Sequence, residues 1–283
     1  MRIAIIGSGT ASTALPAHFA AEAAVLEPAA VPTLVNPRLS AFAFTPYERL
    51  VVDLGYVDAV QAAAAQDAHA IMINSFADYG IEAARAAVGV PVVGAGEAAI
   101  REASAGGTRR FAIVTVWPRS MGFLYDERLR SVPGGARCTG VRYVSREDEL
   151  ARLGADDGVM ARMARHEAPM VAALLRECEA AVREDGAEAI ALGCTCMAPV
   201  GPLLAGRCSV PVIESSRAGL RAAIGAAQSG ARAETRATAA APARARNARL
   251  VPAIVSAWQL GGPGVAGASE ADCAVCLTEA DLR

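Results

Sequence analysis

The sequence contains the same pattern twice. An apolar run at residues 70–73 leads to Ser75, and a second apolar run at residues 187–192 leads to Cys194. Short continuous apolar runs of this kind are typical of buried strands in a parallel sheet. Each copy continues into a Val-Pro-Val strand and then into an alanine-rich helix. A duplicated series of strand, helix, strand and helix predicts two similar α/β lobes.

The predicted fold is therefore α/β, with two pseudo-symmetric three-layer (αβα) lobes, parallel sheets and a ligand cleft between the lobes. We expect residues 1–108 to form the first lobe, completed by a helix at 215–228, and residues 109–214 to form the second. Residues 229–283 are expected to be a linker and a C-terminal extension. In open parallel sheets, ligands bind beyond the carboxyl ends of the strands. Ser75 and Cys194 lie at that point and are the candidate catalytic residues.

The end of the first strand supplies candidate binding residues. It runs into Gly-Ser-Gly-Thr, which is similar to a dinucleotide fingerprint, but Ser12 replaces the third glycine and no acidic residue ends the next strand. Two interpretations remain: a small-anion site formed by Ser8, Thr10 and backbone amides, or a plain tight turn. Thr115 ends the corresponding strand of the second lobe and is its candidate.

Composition limits the class of partner. The chain has 53% hydrophobic and 20% charged residues, as expected of a globular protein with a large core. A formal net charge of −2 does not suit a general nucleic-acid or anionic-membrane partner. There is no apolar run long enough to span a membrane and no signal-like segment. We therefore expect a cytoplasmic protein with a small-molecule ligand.

The lysine and cysteine contents limit the possible reaction mechanisms and metal sites further. The sequence has no lysine, so its 27 basic residues are all arginines. This excludes Schiff-base mechanisms, pyridoxal phosphate attached to a lysine and Walker-A phosphate sites. The seven cysteines are odd in number and lack the spacing of a disulfide framework, so free thiols are expected. A single CxxC at 273–276 supplies too few ligands for a structural zinc, and no metal is predicted.

Several segments carry a family resemblance. The segments NSFADYGIEAAR, VPVVGAGEAA and LGCTCMA, the last followed by VPVIE, resemble those of the aspartate/glutamate/hydantoin racemase superfamily over about residues 1–228. The resemblance implies two lobes with the ligand between them, and an isomerase that works without a cofactor at a carbon next to a carboxylate or amide. It implies that Cys194 is an acid/base and that Ser75 occupies the opposite catalytic position. Phe76 and Thr195 are further candidates for substrate contact.

The implied substrate is an amino acid, a hydantoin or a related small carboxylate, and a homo-oligomer is possible. The sequence departs from the family pattern at Ser75, because racemases of this family use one cysteine per lobe. A serine hydroxyl is a far weaker acid than a thiol. The alternatives are a one-cysteine enzyme of the arylmalonate decarboxylase or maleate isomerase type, or a non-catalytic relative that binds small anions. Cys196 is expected to be a bystander whose side chain need not face the ligand.

Overall fold

The computed structural model describes residues 1–7, 14–39, 41–152, 155–229 and 241–261. Contacts divide the described chain into two compact units. The first unit contains residues up to 74, residues 78–94 and the described residues after 219. The second unit contains residues 75–77 and the described part of 95–219.

The first unit contains a four-stranded parallel sheet with the strand order β2-β1-β3-β4. The strands are β1 (Arg2–Ile6), β2 (Val31–Val35), β3 (Ala70–Ile73) and β4 (Val92–Gly94). The helices before residue 90 are α1 (Ala17–Leu26), α2 (Pro46–Ala65) and α3 (Ile81–Ala87). All of β3 is buried, as is β1 after its first residue, which agrees with the continuous apolar runs of these central strands.

Helix α2 begins at a capping box. The backbone N–H of Thr45 donates to Oε2 of Glu48 at 2.7 Å, and Pro46 occupies the first turn, where a missing N–H costs nothing. Beyond the first turn, the helix buries Val52, Tyr56 and Val60, which are four residues apart and so lie on one face. That face packs in the same apolar cluster as Ile6, Ile71 and Ile73 of the sheet.

The second unit contains another four-stranded parallel sheet, with the order β6-β5-β7-β8. Its strands are β5 (Phe111–Thr115), β6 (Cys138–Tyr143), β7 (Ile190–Leu192) and β8 (Val212–Ile213). The helices between residues 95 and 228 are α4 (Ala95–Ala103), α5 (Phe123–Ser131), α6 (Val159–Ala164), α7 (Ala168–Asp185), α8 (Gly201–Ala205) and α9 (Ser215–Gln228). The two sheets therefore have the same strand order relative to the chain, and the predicted α/β fold with two parallel sheets is confirmed.

The chain is divided differently from the sequence-based boundaries. Residues 95–108 were expected in the first lobe, but α4 packs against β7 and β8 and groups with the second unit. Its buried face, which includes Ala99, Ile100 and Ala103, accounts for this packing. Residues 220–228 of α9, the later part of the helix expected to complete the first lobe, group with the first unit.

The C-terminal extension contains a helix, α10 (Ala241–Gly261). Residues 241–249, which lie within the expected linker and C-terminal extension, form the first part of this helix. The helix packs against α2 and α3, its Val255 is fully buried, and Nδ2 of Asn247 donates to the carbonyl of Ala86 at 3.3 Å. The CxxC at 273–276 lies outside the described residues. No helix within the described ranges is both long and apolar enough to cross a membrane.

Candidate active site

The two strands that lead to Ser75 and Cys194 end in the same way. After β3, the N–H of Asn74 donates to the carbonyl of Ile6 at 3.1 Å. After β7, the N–H of Gly193 donates to the carbonyl of Val114 at 2.8 Å. In both cases the residue after the strand extends the pairing with the neighbouring strand by one hydrogen bond. The next residue is the candidate catalytic one.

The correspondence extends to the side chains. Oγ of Ser75 accepts a hydrogen bond from the N–H of Ala77 at 3.2 Å, and Sγ of Cys194 accepts one from the N–H of Cys196 at 3.1 Å. Each candidate side chain is thus held by the amide two residues later, where the chain turns away from the sheet. The repeat seen in the sequence therefore exists at the level of individual hydrogen bonds.

Cys194 and Cys196 are joined by a disulfide, with 5.1 Å between their Cα atoms. The expectation of free thiols is wrong for these two residues. The physical reason is the 3₁₀ turn over Thr195–Met197, which brings the side chain of Cys196 back to Cys194. That Cys196 is a bystander in catalysis stays a prediction. Among the described residues, the free cysteines are Cys138, Cys178 and Cys208.

A buried tyrosine supports the Cys194 turn. The hydroxyl of Tyr125 donates to the carbonyl of Gly193 at 3.0 Å and lies 2.6 Å from Oγ1 of Thr115. Because the Tyr125 proton goes to Gly193, Thr115 donates to Tyr125, and Oγ1 of Thr115 in turn accepts from the N–H of Trp117 at 3.3 Å. Tyr125 could not be identified from sequence patterns, because its main partner is 68 residues away along the chain.

We call the turns at residues 74–77 and 193–196, where the chain leaves the sheet after β3 and β7, the two elbows. Tyr125 also contacts the first of them. Its ring centroid is 5.5 Å from that of Phe76, the residue after Ser75. Gly193 fits closely here, since a Cβ at this position would lie 2.9 Å from Cβ of Thr115 and 3.1 Å from the Tyr125 ring. The segment 75–77 and the Cys194 turn therefore belong to one packed region of the second unit, with Tyr125 between Phe76 and Gly193.

The far side of the Cys194 turn is held by the start of α9. Oγ of Ser216 donates to the carbonyl of Thr195 at 3.3 Å. The carboxylate of Glu214 accepts from the N–H groups of Ser216 and Arg217, at 2.7 and 3.0 Å. Burial raises the pKa of Glu214 above its usual range, although these two amides act in the opposite direction. The turn is thus fixed from both sides.

The predicted binding residues have different positions. Ser8 and Thr10 lie outside the described residues. Thr115 is fully buried at the end of β5 and bonded to Tyr125, Phe76 is buried against the same ring, and Thr195 is half-buried in the Cys194 turn. Their contact with substrate stays a prediction.

A large open cleft lies beside β6. It has a volume of about 900 Å³ and is lined by residues of β6 and its surroundings, including Arg119, Arg142 and Tyr143. It contains none of the predicted site residues. Arg142 forms ion pairs with Glu177, Glu184 and Asp185, at 3.4, 2.8 and 2.7 Å. Its positive charge is therefore balanced by carboxylates of the protein itself. We find no group of three or more His, Cys, Asp or Glu side chains in the described ranges that could hold a metal ion.

The sequence profile of the Asp/Glu/Hydantoin racemase family matches residues 3–223. The chain belongs to this family. The resemblance seen in the elbow segments is thereby confirmed, and with it the racemase-type isomerase as the class of enzyme. The family match covers both sheets and ends before α10.

Individual relatives agree with this assignment. The chain is 34% identical over 170 residues to a hydantoin racemase from Rhizobium meliloti, covering 60% of this chain and 64% of that protein, which is just under two thirds of its length. An allantoin racemase structure from Pseudomonas fluorescens is similar with a TM-score of 0.68 and 27% identity, over 84% of this chain and 97% of that one. An arylmalonate decarboxylase structure, at 24% identity and a TM-score of 0.58 over 80% and 92% of the two chains, shares the fold.

Proposed function

We propose that the protein is a cofactor-independent racemase or epimerase acting at the α-carbon of a hydantoin, an amino acid or a related small carboxylate. In this proposal Cys194 is the acid/base and Ser75 occupies the opposite catalytic position. The observation that carries it is the matched pair of elbows, in which Ser75 and Cys194 follow equivalent strands and accept equivalent amide hydrogen bonds. The two residues also group in the same unit.

The catalytic form in this proposal is the reduced one. A sulfur in a disulfide carries no proton and has no thiolate form, so it cannot exchange a proton with substrate. Once Cys194 is reduced and ionised, its sulfur accepts the hydrogen bond of the Cys196 N–H. The thiolate then removes the α-proton, and the resulting negative charge spreads onto the neighbouring carbonyl oxygen of the substrate.

Ser75 has a different task from a second thiol. Its oxygen accepts from the Ala77 amide, which leaves the hydroxyl proton free to be donated. A serine donates this proton to a carbanion poorly, but it is a good hydrogen-bond donor to an enolate oxygen. Racemisation with Ser75 is therefore expected to be slower in both directions than with a thiol at this position, since one direction needs Ser75 as the proton donor and the other needs it as the base.

This difference supports a second candidate function. An enzyme with one catalytic cysteine, of the arylmalonate decarboxylase or maleate isomerase type, needs a thiol on one side of the substrate only. Ser75 in place of a second cysteine is the observation that favours it. A third possibility, a non-catalytic relative that binds small anions, predicts ligand binding without any turnover.

The ligand, the assembly and the location of the protein are also part of the proposal. We propose a small-molecule carboxylate, amino acid or hydantoin as the partner, with no nucleic acid or membrane partner, and a homo-oligomer as the assembly. A cytoplasmic location suits a reaction that depends on a reduced cysteine. The proposed proton transfers use only side chains and amides of this chain.

Proton–deuterium exchange at the α-carbon tests the proposal. The protein, reduced with a dithiol, is incubated in heavy water with hydantoins, amino acids and aryl-substituted malonates, and NMR and chiral separation follow the products. We expect exchange with inversion for a hydantoin or an amino acid. Loss of the acid/base in Cys194→Ala should lower the rate by at least about 100-fold, whereas Cys138→Ala should keep it.

Ser75→Cys separates the candidate functions. In a racemase it supplies a second thiol acid and should raise racemisation in both directions. In a one-cysteine decarboxylase it should leave decarboxylation unimproved while the product begins to racemise. No turnover by the reduced parent on any compound, with thermal stabilisation by one of them, would leave only the binding role.

A further inference from the structure

Cys196, the disulfide partner of the proposed acid/base Cys194, lies two residues later in the same turn. Cys194 and Cys196 are separated by one residue, and the 5.1 Å between their Cα atoms lies in the usual range for disulfides. Both residues are half-buried, so small oxidants and reductants can reach them. The disulfide and the proposed catalytic thiolate are therefore alternative states of one sulfur atom.

The surroundings keep the two sulfurs together in either state. Gly193 is held by Val114 and Tyr125, the carbonyl of Thr195 by Ser216, and Met197 is fully buried. The turn is thus fixed before and after the pair, and closing or opening the bond involves no other segment. A reaction between two groups held in place is strongly favoured over the same reaction between separate molecules.

We propose that the Cys194–Cys196 pair is a thiol–disulfide switch, which removes the Cys194 thiolate when oxidised and restores it when reduced. The inference rests on the proposed function for its effect on catalysis, but the thiol chemistry is testable on its own. The oxidant is a peroxide and the reductant is a dithiol.

The oxidation proceeds in two displacements. The Cys194 thiolate attacks one oxygen of hydrogen peroxide, the O–O bond breaks, and hydroxide leaves, which converts the thiolate to a sulfenic acid. The Cys196 sulfur, having lost its proton, then attacks the Cys194 sulfur, and the S–O bond breaks with loss of hydroxide, which is protonated to water. In sum, two thiols and one peroxide give one disulfide and two waters.

Reduction reverses the state of the pair. One thiolate of a dithiol attacks the disulfide, and its second thiolate releases the protein sulfur from the mixed disulfide. The dithiol becomes a cyclic disulfide, and Cys194 and Cys196 recover two electrons and two protons between them. Cys196 therefore acts as a resolving cysteine that keeps Cys194 from irreversible oxidation.

Alkylation after peroxide treatment tests the switch without relying on catalysis. The reduced protein is treated with hydrogen peroxide, then with or without dithiothreitol, and then with iodoacetamide, and Cys194 is mapped by mass spectrometry. In the parent we expect Cys194 to be alkylated before peroxide, protected after it, and alkylated again after dithiothreitol. The protected form should have a peptide mass lower by two hydrogen atoms.

Two variants make the test specific. In Cys196→Ser, the sulfenic acid has no partner, so the same peroxide dose should carry Cys194 to the sulfinic acid, which dithiothreitol does not reduce. Cys208→Ser removes a cysteine outside the pair and should behave as the parent. Irreversible oxidation of Cys194 in the parent, or full reversibility in Cys196→Ser, would overturn the switch.

The proton–deuterium exchange assay tests whether the redox state of the Cys194–Cys196 pair controls catalysis. Peroxide should lower the parent's α-proton exchange by at least about 100-fold, since the acid/base is lost, and dithiothreitol should restore it. If the disulfide-bonded form retains full exchange, the switch is wrong while the enzyme activity stands. If the reduced form shows no exchange on any substrate but the alkylation results hold, the proposed function fails and the thiol switch stands.

Discussion

At the scale of single residues, the second unit holds two pairs of sulfur atoms in different environments. The Cys194 sulfur accepts from the amide of Cys196, whereas the Cys208 sulfur interacts with the thiol of Cys178 as well as with the amide of Val210. The hydrogen bond from Cys178 is the largest influence on Cys208 and lowers its pKa to about 7. The same interaction, together with burial, raises the pKa of Cys178. Cys208 is therefore the described cysteine that competes with reduced Cys194 for electrophiles.

The pH dependence of Cys208 alkylation follows from this pair. Only the thiolate reacts, so the alkylation rate of Cys208 should rise with pH, with a midpoint at about pH 7. Cys178→Ala removes the donor that favours the thiolate, while the desolvation that opposes it remains. The midpoint should therefore move to higher pH. Iodoacetamide labelling from about pH 5 to pH 9, mapped by mass spectrometry, measures it.

Cys138→Ala is the matched control, because Cys138 is also a free cysteine of this unit and no hydrogen bond joins it to Cys208. It should leave the Cys208 midpoint unchanged. A midpoint that stays in place in Cys178→Ala, or that moves to lower pH, contradicts the assigned hydrogen bond.

At the scale of secondary structure elements, α5 connects the strand ends of the second sheet. Tyr125 extends from this helix to Thr115 at the end of β5 and to Gly193 after β7. All three residues are buried, so bulk water does not reach the hydroxyl of Thr115 or the carbonyl of Gly193 to replace the hydrogen bond to Tyr125. The position of the Cys194 turn thus depends on a helix that carries neither of the proposed catalytic residues.

Tyr125→Phe should therefore destabilise the reduced protein by about 1–3 kcal/mol, because it leaves the carbonyl of Gly193 and the hydroxyl of Thr115 without their partner. The free energy of unfolding in urea measures this loss. Tyr47→Phe is the control, since Tyr47 is 79% exposed and its change should stay within about 0.5 kcal/mol. Equal stability of the two variants would mean that Tyr125 does not hold the turn.

The elements differ in how far the sequence predicts them. β3 and β7 are buried on both faces, so their continuous apolar runs identify them directly. Tyr125 has no such signal, because its polar partners come together only in the folded sheet. The Cys194–Cys196 bond was missed because a CxC spacing alone does not show that the chain reverses direction within two residues. Ser75 and Cys194 were identified as equivalent because the repeat in the chain gives rise to equivalent strand ends.

At the scale of the whole molecule, each unit is built from separated parts of the chain. α4 packs on the second sheet although it directly follows the last strand of the first, and α10 packs on α2 and α3 although it lies at the other end of the chain. Sequence patterns give the apolar face of a helix but not the sheet or helix that covers it. Residues 95–108 were expected in the first lobe and group with the second unit for this reason.

The docking of α10 is the feature of the whole molecule that is easiest to test. Val255 is fully buried on this helix, and Val251 packs against the apolar cluster of the first unit. Val255→Ala removes two buried methyl groups and should lower the free energy of unfolding by about 2 kcal/mol. Limited proteolysis should also cut the chain after residue 229 faster, since a helix with fewer apolar contacts opens more often.

Ile254→Ala provides the comparison, because Ile254 precedes Val255 on the same helix but is 53% exposed. Its effect on stability should stay within about 0.5 kcal/mol, and its proteolysis rate should match the parent. Alkylation of reduced Cys194 should be unchanged in both variants, since Cys194 belongs to the other unit. If Ile254→Ala and Val255→Ala destabilise the protein equally, α10 is not held by Val255. If either variant alters Cys194 alkylation, the extension acts on the site as well as on the first unit.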